Sequence, residues 1–509
     1  MKKNNKRKSN FIIVSNRLPL IIKKMDDGTI EVGKGTGGLI TAMAPVLKNR
    51  DGVWIGWPGY VEEREKEENI LPLIQSAISG YRVKPVMLSA YDLKNYYEGF
   101  SNSILWPLFH GFSDKCIFIQ EYWENYQDVN QKFTQVICQN ADDNDFIWVH
   151  DYQLMLVGAN LRKLQKNNTL AFFLHIPFPP IEIFIRCPWR FELLAAMLEY
   201  DVIGFHTIQN KRNFIGSIKK LVQEAEIDAK AGFDEAVSEL RLGGRVVRIG
   251  VFPISIDYNE FSLKALDSKV GKRSEQIRKN ARGTKILLGV DRLDYTKGIP
   301  EKLKAFQRFL TQFPDYHKKV QLIQLVVPSR REITAYSDLK YKIEQLVGEI
   351  NGMFSTNDWL PVHYMFRNID RNELISLYRA CDIAFITPLK DGMNLVAKEY
   401  CACNIDEKGV VILSEFAGTA QQFYKDAVLT NPHDTDGMVK AIYRAYNMPL
   451  KERKLRMQNL RENVKNKNVF WWVNAFLNAS IKKDLSSFPQ VDEYFPGKPD
   501  IEMMNKGLL

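Results

Sequence analysis

The sequence predicts an α/β protein with two doubly wound, Rossmann-like domains. Short apolar, β-branched runs alternate with longer amphipathic stretches, as parallel strands alternate with the helices that cover them. The runs fall into two sets, separated by a polar, helix-compatible segment at residues 258–283. Because few contacts cross a segment of this kind, we expect a domain boundary near residue 260.

The first set of predicted strands is residues 11–15, 53–57, 84–89, 145–151, 170–176, 201–207 and 246–254, and the second set is residues 285–290, 320–327, 362–366, 382–387, 409–414 and 427–430. Beyond residue 430 the sequence favours helices. The last of them, residues 468–485, has an apolar face formed by Phe470, Trp471, Trp472, Phe476 and Leu477. We expect domains at residues 11–260 and 261–467, and a C-terminal helix within residues 468–509 that packs back across the first domain.

Composition and charge exclude several classes of protein. The formal net charge is +10, and half of it lies in residues 1–10, a tail that we expect to be disordered. The mild basic bias of the remainder suits a phosphorylated substrate and does not favour nucleic acid. The most apolar window, residues 170–185, is interrupted by His175, Glu182 and three prolines, so it does not predict a membrane span. With no secretion signal, we expect a cytoplasmic protein.

A glycine-rich stretch at residues 33–38 precedes a helical pattern. Glycines that open a helix, here Gly37 and Gly38, let backbone N–H groups approach a phosphate. The alternative is a turn with a helix cap. The stretch spells GxGxxG, but the connection from the strand at residues 11–15 is too long for the tight turn of a dinucleotide fingerprint. A Rossmann-type dehydrogenase is therefore not favoured.

Two further segments place charged residues directly after predicted strands. Arg292 and Lys297 follow residues 285–290, and a pair of cations there suits a diphosphate on which charge grows during reaction. Asp391 and Glu399 follow residues 382–387, where carboxylates can bind sugar hydroxyls beside a helix N-terminus. The alternatives are solvated surface cations in the first segment and a capped amphipathic helix in the second, with Lys398 and Glu399 on its solvent face.

Ten motifs, in this order, closely resemble those of the retaining glycosyltransferases of the α,α-trehalose-phosphate synthase family. They are SNRLP (15–19), GGL (37–39), WIGWPG (54–59), YYEGFSNSILWPLFH (96–110), WVHDYQL (148–154), FFLHIPFP (172–179), DRLDYTKG (291–298), PSR (328–330), ING (350–352) and DGMNLVAKEY (391–400). The resemblance implies a GT-B fold, in which two Rossmann-like domains face a central cleft. It also implies transfer of glucose from a nucleotide diphosphate, commonly UDP, to C1 of glucose 6-phosphate.

The resemblance implies a role for each motif residue. The acceptor would be held by Arg17, Trp57, Tyr97, Trp106, Asp151 and Arg330. The donor would be held by Gly37, Gly38, Arg292, Lys297, Asp391, Gly392, Met393, Asn394, Leu395, Val396 and Glu399. The implied catalytic residues are His175, Arg292, Lys297 and Asp391.

No cofactor or metal is expected. The cysteines contain no CxxC pair, and the DxD sequence at Asp143 and Asp145, a metal-nucleotide motif in another glycosyltransferase class, precedes a strand in what reads as a solvated turn. No carboxylate stands out as a nucleophile, so we expect attack of the acceptor hydroxyl on the face that the diphosphate leaves.

Several alternatives stay open at this point. A glucosylglycerol-phosphate synthase would use glycerol 3-phosphate as acceptor with the same donor half, and a catalytically silent relative would keep only part of the site. The nucleotide base and the formation of a homo-oligomer are also open. A synthase of this family implies a separate trehalose-6-phosphate phosphatase downstream.

Overall fold

The computed structural model describes residues 11–24, 30–35, 38–50, 52–61, 72–74, 76, 78, 80–222, 226–227, 237–242, 244–329, 334–482, 488–489 and 491–494. The chain divides into two compact units. The first is Met1–Asp257 with Val469–Val491, and the second is Tyr258–Asn468 with Asp492–Leu509. The predicted tail at residues 1–10 lies outside the described residues. Within the described ranges, no helix is both long and apolar enough to cross a membrane.

The first unit contains a nine-stranded sheet and a separate hairpin. Its strands are β1 (Phe11–Arg17), β2 (Leu20–Lys24), β3 (Ile30–Lys34), β4 (Val53–Trp57), β5 (Arg82–Pro85), β6 (Phe146–His150), β7 (Thr169–Phe173), β8 (Val202–Phe205), β9 (Glu226–Ile227), β10 (Val237–Leu242) and β11 (Arg245–Val251). The sheet order is β5-β4-β1-β6-β7-β8-β11-β10-β9, and β2 pairs with β3. Neighbouring strands from β5 through β4, β1, β6, β7 and β8 to β11 pair in parallel. At one edge, β10 pairs antiparallel with β11, and β9 pairs antiparallel with β10.

Helices follow most strands of this unit. They are α1 (Gly38–Arg50), α2 (Ala90–Asp92), the π-helix Leu93–Leu105, α3 (Trp106–Phe109), α4 (Gln120–Asn140), α5 (Val157–Lys163), α6 (Ile181–Phe184), α7 (Arg190–Met197) and α8 (Ile208–Leu221). The sheet is entered at β1 and extends in both directions from it, so the direction of winding reverses between β1 and β6. In a doubly wound sheet, ligands bind outside the carboxyl ends of the strands at this switch point.

The second unit has a six-stranded parallel sheet. Its strands are β12 (Lys285–Arg292), β13 (Val320–Val327), β14 (Val362–Phe366), β15 (Ile383–Ile386), β16 (Val410–Ser414) and β17 (Val428–Thr430). Its helices are α9 (Tyr258–Ala265), α10 (Ser268–Asn280), α11 (Ile299–Gln312), α12 (Thr334–Phe354), α13 (Arg371–Ala380), α14 (Leu395–Cys403), α15 (Ala420–Phe423), α16 (Thr435–Asn447) and α17 (Leu450–Asn466). The order β14-β13-β12-β15-β16-β17 is that of a Rossmann sheet, with its switch point between β12 and β15.

The predicted α/β class and the two doubly wound sheets are therefore confirmed, but one strand was misplaced and others were missed. The strand predicted at residues 84–89 ends at Pro85. Ser89 instead caps α2, because its hydroxyl accepts from the N–H of Asp92, whose carboxylate accepts from the N–H of Ser89. The β2–β3 hairpin and strands β9 and β10 were not predicted because they are short or rich in polar residues.

The last helix, α18 (Val469–Lys482), packs in the first unit against the nine-stranded sheet. The Phe476 ring stacks on Trp148 with centroids 4.2 Å apart, and the Trp472 indole N–H donates to the Phe252 carbonyl at 3.1 Å. A Cβ at Gly204 would overlap the Phe476 ring, so the close approach of helix to strand needs glycine there. The domain limits expected at residues 260 and 467 stay predictions.

Replacing Trp472 with alanine should lower the free energy of unfolding of the first unit by about 3–5 kcal/mol, because the side chain is fully buried and leaves a cavity. Denaturant titration followed by far-UV circular dichroism measures the change. The matched control is Asn474→Ala, at an exposed position of the same helix. Equal midpoints for the two variants would show that α18 contributes little to this unit.

Candidate active site

In the first unit, predicted site residues lie at the carboxyl ends of four neighbouring strands. Arg17 and Trp57 are the last residues of β1 and β4, Asp151 follows β6 directly, and His175 lies two residues beyond β7. Parallel pairing brings these ends to one edge of the sheet, around the switch point between β1 and β6. The chain positions are distant, but the topology makes the residues neighbours.

Arg17, Trp57 and Tyr97 form a cationic and aromatic cluster at this edge. The Arg17 guanidinium lies 4.7 Å from the centroid of the Trp57 ring, and the Trp57 and Tyr97 rings are 6.1 Å apart. The Trp57 indole N–H donates to the Tyr60 carbonyl at 3.1 Å, which fixes the ring plane. Desolvation lowers the pKa of Arg17, and the neighbouring Tyr97 opposes this shift. The cluster offers a guanidinium, a phenol and an aromatic face to a ligand.

Gly59 lets the Arg17 side chain take this position. Its φ is 82°, in the region that favours glycine, and a Cβ built on it would overlap the Arg17 guanidinium. The loop after β4 therefore packs its bare backbone directly against the cation. The WPG sequence is the local signal for this turn.

The π-helix Leu93–Leu105 positions Tyr97, and α3, which follows it, positions Trp106. The Tyr96 hydroxyl donates to Asn16 Oδ1 at 2.8 Å, which ties the π-helix to β1. The Tyr152 hydroxyl donates to Asn102 Oδ1 at 2.9 Å, which ties it to the turn after β6. Trp106 is buried, with its ring 5.8 Å from that of Tyr152. Long π-helical segments are rare and are frequently found at functional sites.

Asp151 has a strained backbone. Its φ and ψ are 76° and 167°, a combination that is nearly restricted to glycine and costs on the order of 1–3 kcal/mol. Its carboxylate accepts from the backbone N–H groups of Tyr152 at 3.0 Å and His175 at 3.2 Å. The carboxylate therefore links the end of β6 to the segment after β7, which holds Asp151 and His175 together.

His150 and His175 form a side-chain pair. His150 Nδ1 lies 3.1 Å from His175 Nε2, and the two rings are nearly parallel, with centroids 5.4 Å apart. Burial lowers the pKa of His150 well below its ordinary value, and His175 lowers it further. Desolvation lowers the pKa of His175 to about 3. Both rings are therefore neutral near neutral pH.

In the second unit, Lys297 and Asp391 meet at the switch point between β12 and β15. Lys297 Nζ donates to Asp391 Oδ2 at 2.6 Å, and both side chains are largely buried. Arg292 is the last residue of β12, and Lys297 ends the 3₁₀ turn Tyr295–Lys297 that follows. The predicted cations and carboxylate thus lie at the carboxyl ends of adjacent strands, and Lys297 is not a solvated surface charge.

The loop at residues 391–394 is held rigidly. Asn394 has a φ of 73°, caps α14 through its Oδ1 and donates to Asp391 Oδ2 at 3.1 Å. The Thr419 hydroxyl donates to the Asn394 carbonyl at 2.9 Å and also bonds the Met393 carbonyl. A Cβ at Gly418 would overlap the Gly392 carbonyl, so the two loops touch through their backbones. Leu395 and Val396 begin α14 with their side chains partly exposed.

Glu399 and Lys398 differ from the amphipathic-helix alternative. Glu399 accepts a hydrogen bond from the Tyr378 hydroxyl at 2.8 Å, and burial raises its pKa. Lys398 is 1% exposed, and burial followed by Lys467 lowers its pKa to about 7. The alternative of a solvent-facing pair therefore does not hold, because helices α9, α13 and α17 pack against α14.

Some predicted site residues lie away from these clusters or outside the residues that the structure describes. Gly38 begins α1, whereas Gly37 and Arg330 lie outside the described residues. The turn carrying the DxD sequence is not fully solvated, because Asp145 is buried and its carboxylate accepts from the N–H of Asp142 at 2.9 Å. In the described ranges there is no group of three or more His, Cys, Asp or Glu residues that could hold a metal ion.

Sequence reasoning missed the residues that support the site. They are Asn16, Gly59, Tyr60, Tyr96, Asn102, His150, Tyr378 and Thr419. Most lie inside the motifs, but their partners are far away in sequence. The motif positions could have indicated those inside the motifs, although not their contacts, whereas Tyr60, Tyr378 and Thr419 lie outside the motifs.

Comparison with known proteins identifies relatives along most of the chain. The family model described as "Glycosyltransferase family 20" matches residues 9–482. The trehalose-6-phosphate synthases of Mycolicibacterium paratuberculosis and Mycobacterium avium are each 42% identical over 472 residues, which cover 92% of this chain and 95% of each relative.

Solved structures give the same result. The UDP-forming α,α-trehalose-phosphate synthase of Burkholderia xenovorans, in complex with glucose-6-phosphate, matches with a TM-score of 0.81 and 33% identity, over 93% of this chain and all of that one. The Escherichia coli protein bound with UDP-2-fluoro glucose matches with a TM-score of 0.82 and 31% identity, over 93% and 99% of the two chains. With its two Rossmann-like units and their strand-end residues, this chain belongs to glycosyltransferase family 20 and has the GT-B fold.

Proposed function

We propose that this protein is an α,α-trehalose-phosphate synthase that transfers glucose, with retention, from UDP-glucose to glucose 6-phosphate. The observation that carries the proposal is the presence of two clusters of binding groups, one at each switch point. The first is the cluster of Arg17, Trp57 and Tyr97, and the second is the set of Lys297, Asp391 and Glu399. The relatives named as trehalose-6-phosphate synthases support it.

The first unit supplies the acceptor groups. Arg17 and Tyr97 suit a phosphate dianion, because a guanidinium and a phenol are both hydrogen-bond donors. We assign the sugar ring to the Trp57 face and a sugar hydroxyl to the Asp151 carboxylate, with Trp106 as a wall of this site. Arg330, which is not part of the first unit and lies outside the described residues, stays a proposed phosphate ligand on the motif resemblance alone. The rigid support of Asp151 and Trp57 by backbone groups suits a site that orients one hydroxyl for attack.

The second unit supplies the donor groups. Arg292 and Lys297 suit the diphosphate, and Asp391 suits the hydroxyls of the transferred glucose. Glu399, oriented by Tyr378, suits the two ribose hydroxyls, since a carboxylate can accept from both. Backbone groups of residues 392–396 complete the proposed donor contacts of this unit. Gly37 and Gly38 belong to the first unit and stay proposed donor contacts on the motif resemblance alone.

The proposed reaction proceeds on one face of the sugar. The C1 hydroxyl of glucose 6-phosphate attacks C1 of the donor glucose as the bond from C1 to the diphosphate oxygen breaks. Its proton passes to an oxygen of the leaving diphosphate, whose growing charge Arg292 and Lys297 stabilise. The carboxylates of Asp391 and Glu399 each accept a hydrogen bond from a protein side chain. This suits residues that bind substrate hydroxyls better than a residue that acts as a nucleophile. No metal is needed in this scheme.

The proposal has consequences for cellular context. Both substrates are phosphorylated and charged, so we place the reaction in the cytoplasm. The product is a disaccharide phosphate, and a separate phosphatase would convert it to the free sugar. A homo-oligomer is compatible with this scheme but is not required by it.

Release of UDP from UDP-glucose, measured with glucose 6-phosphate and in parallel with glycerol 3-phosphate, tests the proposal. We expect release with glucose 6-phosphate and an α,α-linked disaccharide phosphate identified by NMR. Release with glycerol 3-phosphate alone would assign the chain to the glucosylglycerol-phosphate branch. If neither acceptor leads to release of nucleotide diphosphate from UDP-glucose, ADP-glucose or GDP-glucose, the proposed glucose transfer is contradicted.

Replacing Lys297 with alanine should lower kcat on the order of 100-fold, because the cation would stabilise charge that develops on the diphosphate. The KM for glucose 6-phosphate should change little. Steady-state kinetics measure both, and Lys304→Ala, at an exposed position of the following helix α11, is the matched control. An unchanged kcat would exclude Lys297 from the chemical step.

Replacing Gly59 with alanine should raise the KM for glucose 6-phosphate about tenfold or more, because the new Cβ displaces the Arg17 guanidinium. Gly111→Ala is the matched control: its φ of 86° imposes the same backbone strain, but a Cβ there meets no atom within 4 Å. Similar KM values for the two variants would argue against Arg17 as a phosphate ligand.

A further inference from the structure

His150 is a buried histidine to which the proposed reaction gives no role. It is the last residue of β6, is 1% exposed, and lies beside Asp151 in the chain. Its Nδ1 atom faces Nε2 of His175 at 3.1 Å, whereas its Nε2 atom is buried and has no hydrogen-bond partner in the described part of the chain. The two nitrogens of this ring are therefore not equivalent.

This arrangement selects one tautomer for each ring. The hydrogen bond between the rings needs one proton, on His150 Nδ1 or on His175 Nε2. If His175 donated, the proton of His150 would sit on Nε2 as a buried N–H without an acceptor, which is rarer in proteins than an unpaired acceptor. The favoured state has His150 Nδ1–H donating to His175 Nε2, and His175 then carries its own proton on Nδ1.

The second nitrogen of His175 is the one left for a ligand. His175 is only partly buried, and its Nδ1 makes no hydrogen bond to the described residues. Its ring is confined by Phe173, with centroids 4.8 Å apart, and by Trp472 at 6.0 Å. Asp151 also holds the His175 backbone through its N–H. The ring thus has a fixed place and presents one N–H.

We propose that His150 is a positioning residue that fixes the tautomer of His175, so that His175 presents Nδ1–H as a hydrogen-bond donor to a substrate oxygen. This inference rests on the proposed function, and on the motif resemblance that places His175 among the catalytic residues. The other tautomer of His175, with its proton on Nε2, would present the Nδ1 lone pair to that oxygen. The two lone pairs would then repel each other. The pair resembles the arrangement by which a second residue orients a histidine in other active sites.

The kinetic test uses His150→Phe and His150→Asn. Phenylalanine keeps the ring volume but cannot donate, and we expect kcat to fall about 10-fold to 100-fold, with the KM for glucose 6-phosphate within about twofold. Asparagine places an amide N–H close to the position of Nδ1, and we expect it to restore kcat to within about threefold of the original enzyme. His363→Asn, in strand β14 of the second unit, is the control and should be unchanged. Equal kcat values for His150→Phe and the original enzyme would overturn the proposal.

A second measurement needs no substrate. In protein labelled with ¹⁵N-histidine, the signals lost in His150→Asn and in a His175→Asn variant assign the two rings. We expect both rings to carry their proton on Nδ1, and a proton on Nε2 of either ring would overturn the proposal. If the chain transfers no glucose, the proposed function fails, whereas the ¹⁵N spectrum still decides the hydrogen bond between His150 and His175.

Discussion

Parallel pairing around a central first strand is the constraint on which both sites depend. In each sheet the chain enters in the middle, at β1 or at β12, and adds strands on both sides. Parallel neighbours end at the same edge, and the reversal of winding leaves a crevice there that no helix fills. Arg17, Trp57, Asp151 and His175 occupy this edge in the first unit, and Arg292, Lys297 and Asp391 occupy it in the second.

The side chains at these edges are held by hydrogen bonds with other groups of the protein. Tyr60 fixes Trp57, Tyr378 fixes Glu399, and Thr419 with Asn394 fixes the loop around Asp391. Such support matters because a displacement of about 1 Å at a reacting group can cost about 100-fold in rate. The strained backbone of Asn394 belongs to one of these networks, and the Asp151 carboxylate accepts from the N–H groups of Tyr152 and His175, as expected where geometry is selected for function.

Much of the fold could be predicted because the position of a buried strand follows from the hydropathy of its own residues. Strands such as β12 and β13 are largely apolar runs of leucine, isoleucine and valine that are buried along most of their length, so their position follows from hydropathy. Strand β10 alternates buried and polar residues, and the hairpin of β2 and β3 is short, so neither gave that signal. Strand β5 ends at Pro85 and Ser89 caps helix α2, so the apolar residues 86–88 connect the two elements and do not extend the strand.

For the site, the motifs predicted which residues matter but not how they are held. The sequence left a solvent-facing Lys398 open as an alternative, whereas tertiary packing buries this side chain. The pairing of His150 with His175 depends on the register of β6 against β7, in which His150 lies opposite Phe173, and no local pattern encodes it. The contact of Gly59 with Arg17 likewise depends on the meeting of β1 and β4.

A crystal structure of the protein with UDP and glucose 6-phosphate would test the central claim most directly. Our account predicts the hexose phosphate group against Arg17 and Tyr97, the hexose ring beside Trp57, and the UDP ribose hydroxyls on Glu399. A phosphate group bound away from Arg17, or a ribose away from Glu399, would contradict the division of acceptor and donor binding between the two switch points.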